Sequence, residues 1–170
     1  MDTILYLARH GETVDNANQI MQGQTQGELN ENGLRQAREL SEQWKNREID
    51  IVLASDLKRS VDTAAILAAP HGLEVVTTPL LRERDWGGFT GRYIPSLKNE
   101  VWPDDIETLE ALQNRARAFL QYIKETYPNQ RVVAVGHGII NKAIQAVHFG
   151  KKMPEVERMV NCEVRQLLVE

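Results

Sequence analysis

Five side chains fall where chemistry could be done. His10 stands between Arg9 and Gly11, at the point where the apolar run Ile4, Leu5, Tyr6, Leu7, Ala8 stops. His137 stands between Gly136 and Gly138, directly after a second apolar run, Val132 to Val135. Arg59 follows Ser55-Asp56-Leu57-Lys58 behind a third run, Ile51 to Ala54, and Glu83 lies in the glycine-bearing stretch 80–91. An imidazole neutral near pH 7 can attack as a nucleophile. A guanidinium presents a planar fork suited to phosphate oxygens. A carboxyl is the natural group for moving a proton, and a glycine lets backbone come close to a ligand. An isolated Arg-His-Gly reads equally well as a surface arginine and a turn histidine; the combination is what points to an anion-handling site.

The elements around these residues must bring them together. The runs at 4–8, 51–54, 73–76 and 132–135 are short and apolar throughout, as expected of strands buried on both faces. Helices are expected at 30–47, with Asn30 as N-cap and Leu34, Ala37, Leu40, Ser41 and Trp44 at helical spacing, and then at 57–69, 104–126 and 139–149. A short helix at 154–160 and a last strand at 164–169 complete the reading. Alternating strands and helices imply a three-layer α/β/α sandwich on a mainly parallel sheet, and ligands of such sheets bind outside the carboxyl ends of the strands. Arg9-His10, Arg59 and His137 all follow strand ends. The amides opening the helix after His137 would favour an anion there. Residues 14–30, rich in Asn, Gln and Gly, read as a long polar loop whose amides could serve oxyanions. Glu83, between Arg82 and Arg84, is the candidate for proton transfer.

Length and composition bound the rest. A chain of 170 residues is expected to form one domain, with residues 84–104 as a short lid region. Its 42% hydrophobic and 26% charged content is ordinary for a globular protein, and a net charge of −4 argues against nucleic-acid or anionic-membrane binding. No long apolar segment or signal-like N-terminus is read, so a soluble cytoplasmic protein is expected. The single cysteine, Cys162, is expected to be a buried inert thiol in a late strand-like segment. No Cys/His cluster or HExxH spacing suggests a metal, no cofactor is expected, and oligomeric state is left open. His71, His148, Lys151 and Lys152 read as ordinary surface residues.

The chain resembles the histidine phosphatase superfamily, the phosphoglycerate mutase-like family, over nearly its whole length. The resemblance is carried by Arg9-His10-Gly11-Glu12-Thr13 with Asn16 and Gln22-Gly23, by Ser55-Asp56-Leu57-Lys58-Arg59 leading to Thr63-Ala64, and by Leu81-Arg82-Glu83 before Gly87 and Gly91. Glu107-Thr108-Leu109 with Arg115, and Val135-Gly136-His137-Gly138, extend it. It implies that His10 takes the phosphoryl group, that Arg9, Arg59 and His137 hold its oxygens, and that Glu83 is the proton donor. Asn16, Gln22 and Gly23 match positions that touch the phosphate, while Glu12 and Thr13 match as loop supports. For His10 to attack, one ring nitrogen must be free while the other donates to a fixed acceptor, such as a carbonyl near Gly11.

The implied activity is a metal-independent phosphomonoesterase of the histidine acid phosphatase type, acting on a phosphorylated small molecule. Phosphoglycerate mutases of the family resemble one another in a longer insertion after the acid loop, for which the dozen residues after Gly91 leave little room. Glu83-Arg84 resembles the mutase pattern, whereas Asp85-Trp86 departs from it. Arg84, Arg92 and Lys98 are candidates for a second anionic group, with plain surface charge as the alternative. Protein-phosphohistidine phosphatases are similarly short but generally lack the acid, so Glu83 favours an oxygen ester. A non-catalytic phosphate- or phosphopeptide-binding module is the reading from a different class.

Overall fold

The computed structural model describes residues 2–170. The chain runs β1 (Thr3–Arg9), α1 (Val14–Ala17), α2 (Glu31–Trp44), β2 (Ile51–Ala54), α3 (Lys58–Ala68), β3 (Val75–Thr77), α4 (Leu109–Thr126), β4 (Arg131–Gly136), α5 (Gly138–Phe149) and β5 (Val164–Val169), with short 3-10 turns between. The strands form one sheet in the order β3-β2-β4-β1-β5. All pairings are parallel except β1 with β5, which is antiparallel at the edge.

Side chains alternate across the strands, and the two faces are apolar in turn. Leu5, Leu7, Leu53, Val132 and Ala134 pack with Leu112, Phe119 and Ile123 of α4 and Ile140 and Ile144 of α5. Tyr6, Ala8, Val52, Ala54, Val133 and Val135 pack on the opposite side with Leu40 of α2 and Ala64 and Leu67 of α3. The strands therefore read as continuous apolar runs because both of their faces are covered, and the expected α/β/α layering is found.

The β1–β4 register is what gathers the chemistry. Arg9 lies opposite Gly136, and the His10 amide donates to the Gly136 carbonyl at 3.3 Å. Two parallel strands thus end level, one in Arg9-His10 and the other in Gly136-His137. From there the chain leaves β1 toward α2 on one face and β4 toward α5 on the other, which opens a crevice between them.

Several boundaries differ from expectation for local reasons. Residues 14–30 are not loop throughout: Thr13 and Asn16 close a capping box that starts α1, and Thr13 then bridges to Leu29. Helix α4 begins at Leu109 rather than 104, because the Thr108 hydroxyl accepts from the Ala111 amide and fixes the N-cap there. Strand β3 begins two residues and ends one residue later than expected. The helix expected at 154–160 is only one 3-10 turn, Met153–Glu155, which contains Pro154. Cys162 sits in a turn with φ 59°, not in a strand. Asn30 caps α2 as expected, accepting from the Gly33 amide at 2.8 Å. Among the described residues, no helix is long and apolar enough to cross a membrane.

Candidate active site

At the carboxyl ends of β1 and β4 lies a cleft of about 200 Å³ lined by, among others, Arg9, His10, Asn16, Gln22, Gly23, Arg59 and Glu83. Seven of the eight side chains or glycines expected from sequence therefore meet here. The eighth, His137, is fully buried just behind, its ring centroid 5.0 Å from that of His10.

His10 is held as a nucleophile requires. Its Nδ1 lies 2.7 Å from the Gly11 carbonyl oxygen, which can only accept, so Nδ1 carries the proton and Nε2 keeps its lone pair. Burial and, next, the neighbouring Arg59 charge push its pKa down to about 3. The ring is thus neutral across the physiological range. Its backbone is fixed from several sides. The Gly11 amide donates to Thr63 Oγ1 at 3.1 Å, and the His10 carbonyl accepts from Asn161 Nδ2 at 3.1 Å and from the Cys162 amide at 3.3 Å. A β-carbon on Gly11 would stand 2.6 Å from the Gly33 carbonyl oxygen, so glycine at 11 lets the opening turn of α2 seat directly on this loop. Burial also raises the Cys162 thiol to about 12, in keeping with an inert thiol.

Arg9 and Arg59 are both buried, and both line the cleft. The Arg9 Nη1 donates to the Met159 carbonyl at 2.8 Å, while its buried Nε has no hydrogen-bond partner. Burial lowers its pKa first, and the nearby Arg158 second. Arg59 donates through Nη2 to the Gly23 carbonyl at 2.8 Å, through Nη1 to the carbonyls of Thr25 and Gln26, and through Nε to His137 Nδ1 at 3.2 Å. Its pKa falls to about 10, chiefly through burial. The polar loop 22–27 is thus wound around one guanidinium.

His137 differs from expectation in its contacts. Its Nδ1 accepts from Arg59, so its proton resides on Nε2, which lies 2.7 Å from Ser55 Oγ and 3.0 Å from Ser60 Oγ. Burial, then the Arg59 charge, depresses its pKa well below the ordinary value. The ring buttresses Arg59 and stands close behind the cleft rather than lining it.

Glu83 occupies the anion position expected at the start of α5. Its two carboxyl oxygens accept from the Ile139 and Ile140 amides at 3.0 and 2.9 Å, and from its neighbour Arg84's amide at 2.9 Å. The loop carrying it is held by Arg115, which donates to the carbonyls of Leu80, Arg82 and Glu83 and pairs with Glu107 at 2.8 Å. The arginines flanking Glu83 turn elsewhere: Arg82 forms a two-pronged pair with Asp56, and Arg84 Nε donates to the Glu107 carbonyl. Arg84 also lies over the Trp86 ring, 4.8 Å from its centroid. Arg92 pairs with Glu100 at 2.9 Å. Lys98 lines a neighbouring surface cleft with Trp86 and Trp102.

Gln22 Oε1 accepts from Thr13 Oγ1, and Asn16 Oδ1 from the Thr13 amide and from Asn161 Nδ2. The segments 19–21 and 91–94 are laced together by hydrogen bonds of Met21 to Arg92, Gly91 to Met21 and Ile94 to Gln19, with a bridge between Ile20 and Tyr93. They form a strap along one side of the cleft, to which Ile20, Met21 and Ile94 contribute. Ser60, Asn161, Arg115 and Arg158 were missed as site residues by sequence reasoning. Of these, only Arg115 stood in the sequence pattern, with Glu107 in the family resemblance, but without a role. No group of three or more His, Cys, Asp or Glu able to hold a metal ion occurs among the described residues.

The family model described as the histidine phosphatase superfamily (branch 1) matches residues 5–170. The chain is 37% identical over 164 residues to the uncharacterized phosphatase PhoE of Bacillus subtilis, covering 94% of this chain and 84% of that protein. It is 35% identical over 149 residues to the probable phosphoglycerate mutase GpmB of Yersinia pestis, covering 79% and 69%. Among solved structures, a mycobacterial glucosyl-3-phosphoglycerate phosphatase superposes with a TM-score of 0.87 at 27% identity, over 99% of this chain and 91% of that one.

Proposed function

The chain belongs to the histidine phosphatase superfamily, and from that premise we propose that it is a metal-independent phosphomonoesterase that hydrolyses a small phosphorylated molecule through a phosphohistidine on His10. The observation that carries the reading is the Nδ1 hydrogen bond of a buried, neutral His10 to the Gly11 carbonyl, which leaves Nε2 free to attack.

The steps follow from the side chains. Arg9 and Arg59 bracket the phosphoryl group and offset the charge on its oxygens as it transfers, which is where most catalysis of phosphoryl transfer arises. His10 Nε2 bonds to phosphorus, the ester P–O bond breaks, and Glu83 gives its proton to the departing alkoxide. The dianion docked beside Glu83 supplies the negative charge that brings a proton to that carboxyl, and the α5 amides hold it in place. Water then attacks the phosphohistidine, Glu83 takes up its proton, and the P–N bond breaks to restore His10.

His137 donates to a phosphoryl oxygen once its proton sits on Nδ1 and Arg59 Nε turns to the substrate. The Ser55 and Ser60 hydroxyls can then donate to Nε2, so the change of tautomer orphans no buried group. Asn16, Gln22 and the Gly23 amide are assigned supporting contacts to the same phosphate.

Hydrolysis is favoured over phosphoryl return because the segment between Gly91 and Thr108 contributes a single 3-10 turn, Ile94–Leu97, and no further helix or strand. Such a lid leaves water able to reach the intermediate. The mutase reading is kept by the resemblance to GpmB, and one assay separates the two. With chelator present, p-nitrophenyl phosphate and 3-phosphoglycerate are offered in parallel while free phosphate and 2-phosphoglycerate are followed. Phosphate release without isomerisation is expected; isomerisation primed by bisphosphoglycerate would make the protein a mutase, and silence in both would leave a binding module.

A further inference from the structure

Arg158 is a cationic group of the cleft that the phosphoryl chemistry leaves unused. It lines the cleft alongside Arg9, and its Nε lies 3.8 Å from where a β-carbon on Gly138 would be, with Arg9 Nε 3.6 Å from the same point. Two guanidiniums therefore face one glycine at the mouth of α5. Like charges this close repel, and burial of Arg9 sharpens the cost. Yet among the described residues no carboxylate pairs with the Arg158 side chain, whereas Arg84, Arg92 and Arg115 are each engaged. Its backbone is held rigidly. The Met159 carbonyl accepts from Arg9 and the Glu157 carbonyl from Arg165, while the Val160 amide donates to Glu163 and the Met159 side chain is buried. An exposed arginine on an anchored segment, facing the cleft with no carboxylate paired to it among the described residues, is placed to meet a charge brought by a ligand.

Resting on the phosphatase reading above, we propose that Arg158 binds a second anionic group, a carboxylate or phosphate, carried on the alcohol portion of the substrate. Arg9 and Arg59 serve the transferred phosphoryl group, and Arg158, on the Arg9 side, selects for substrates with two anionic ends. The glycine at 138 keeps the wall between them free of a side chain.

The test uses matched pairs of phosphomonoesters that differ only in the far group: 3-phosphoglycerate against glycerol 3-phosphate, phosphoglycolate against 2-hydroxyethyl phosphate, and propane-1,3-diol bisphosphate against its monophosphate. Affinities come from competition with p-nitrophenyl phosphate, or from calorimetry if that ester is not turned over. Failure of the phosphatase reading is thus scored separately from failure of this one. In the wild type at least one charged member should bind about tenfold more tightly than its neutral twin, as a charge-assisted contact allows. In Arg158→Gln that preference should fall to within about twofold, with Arg158→Lys intermediate. No preference in the wild type, or a preference that survives Arg158→Gln, would overturn the proposal. So would an equal loss for both members of every pair, which would assign Arg158 to the transferred phosphoryl group instead. The bisphosphate pair tells a phosphate subsite from a carboxylate one.

Discussion

Holding His10 neutral inside the fold must cost stability in acid, and the cost can be worked out. In the unfolded chain its pKa is the ordinary 6.5; in the fold it is about 3. Above pH 6.5 both states are neutral and there is no penalty. As the pH falls from 6.5 toward 3, the unfolded chain takes up a proton that the folded one refuses, so stability is lost across that window and levels off below it. Each unit of pKa difference corresponds to about 1.4 kcal/mol, so at pH 5 His10 alone should cost about 2 kcal/mol relative to neutral pH. His137, depressed chiefly by burial, shifts stability in the same direction as the pH falls. The His10 loss alone is a sizeable share of the roughly 5–15 kcal/mol that stabilises an ordinary domain. The depressed carboxyls Asp50, Asp56 and Glu163 start from 3.8, 3.8 and 4.5, so they act mainly below pH 5 and scarcely disturb the comparison.

The perturbation is His10→Asn, which retains an amide donor near the Nδ1 position for the Gly11 carbonyl and removes the titration. Urea unfolding of both proteins at pH 7 and pH 5 gives the stability change of each. The wild type should lose about 2 kcal/mol more than the variant between those pH values. Any contribution of the partly buried His148 cancels in the difference. Equal losses in the two proteins would refute the reasoning, because His10 would then be able to take up a proton in the folded state.

Other consequences are as specific. Glu83→Gln should slow an alkyl phosphate by about 10²–10⁴-fold while leaving an aryl phosphate, whose leaving group needs no proton, much less affected; equal losses in single-turnover rates would remove Glu83 as the acid. Arg115→Leu breaks a half-hidden ion pair and frees three carbonyls of the acid loop. It should cost about 3 kcal/mol in denaturant unfolding and lower kcat, whereas an unchanged kcat would mean that Glu83 is held by the α5 amides alone. Gly33→Ala would normally favour a helix, but here the methyl group collides with the Glu12 carbonyl. A lowered melting temperature, with a loss of about 1–3 kcal/mol, is expected, and a stabilised protein would contradict the close seating of α2 on the His10 loop.

Much of the site was legible because its signals are local. Short apolar runs that stop at Arg-His-Gly and Gly-His-Gly identify buried strands and the residues at their ends. The parallel sheet then brings those ends level. The carbonyl partner of His10 is one residue away and could be anticipated from the need for a free ring nitrogen. Relations set by distant packing could not be read. Arg158 and Asn161 reach the cleft only because β5 returns antiparallel beside β1 and draws the preceding turn over Arg9 and His10. The amides at the start of α5 were expected to hold an anion, yet sequence does not say that the anion is the protein's own Glu83. His137 was expected to line the phosphate, and only the distant Arg59 Nε–H, which donates to its Nδ1, reveals its proton position. Helix α4 begins five residues later than expected, because apolar periodicity does not mark the start and the hydroxyl that caps the helix is Thr108.

The level ending of β1 and β4 also makes this site a gauge of assembly. His10 and His137 are 127 residues apart in the chain, yet they meet through a single strand pairing. Slipping that pairing by one position would turn every strand side chain to the wrong face and separate the histidines at the same stroke. Catalytic competence and correct topology are therefore the same event, and neither half of the polypeptide can hold the centre by itself. Cutting the chain at the exposed turn around Asn129, where φ is 58°, would leave two inert pieces. Any activity regained on mixing them would count the molecules in which β4 has found its slot between β2 and β1.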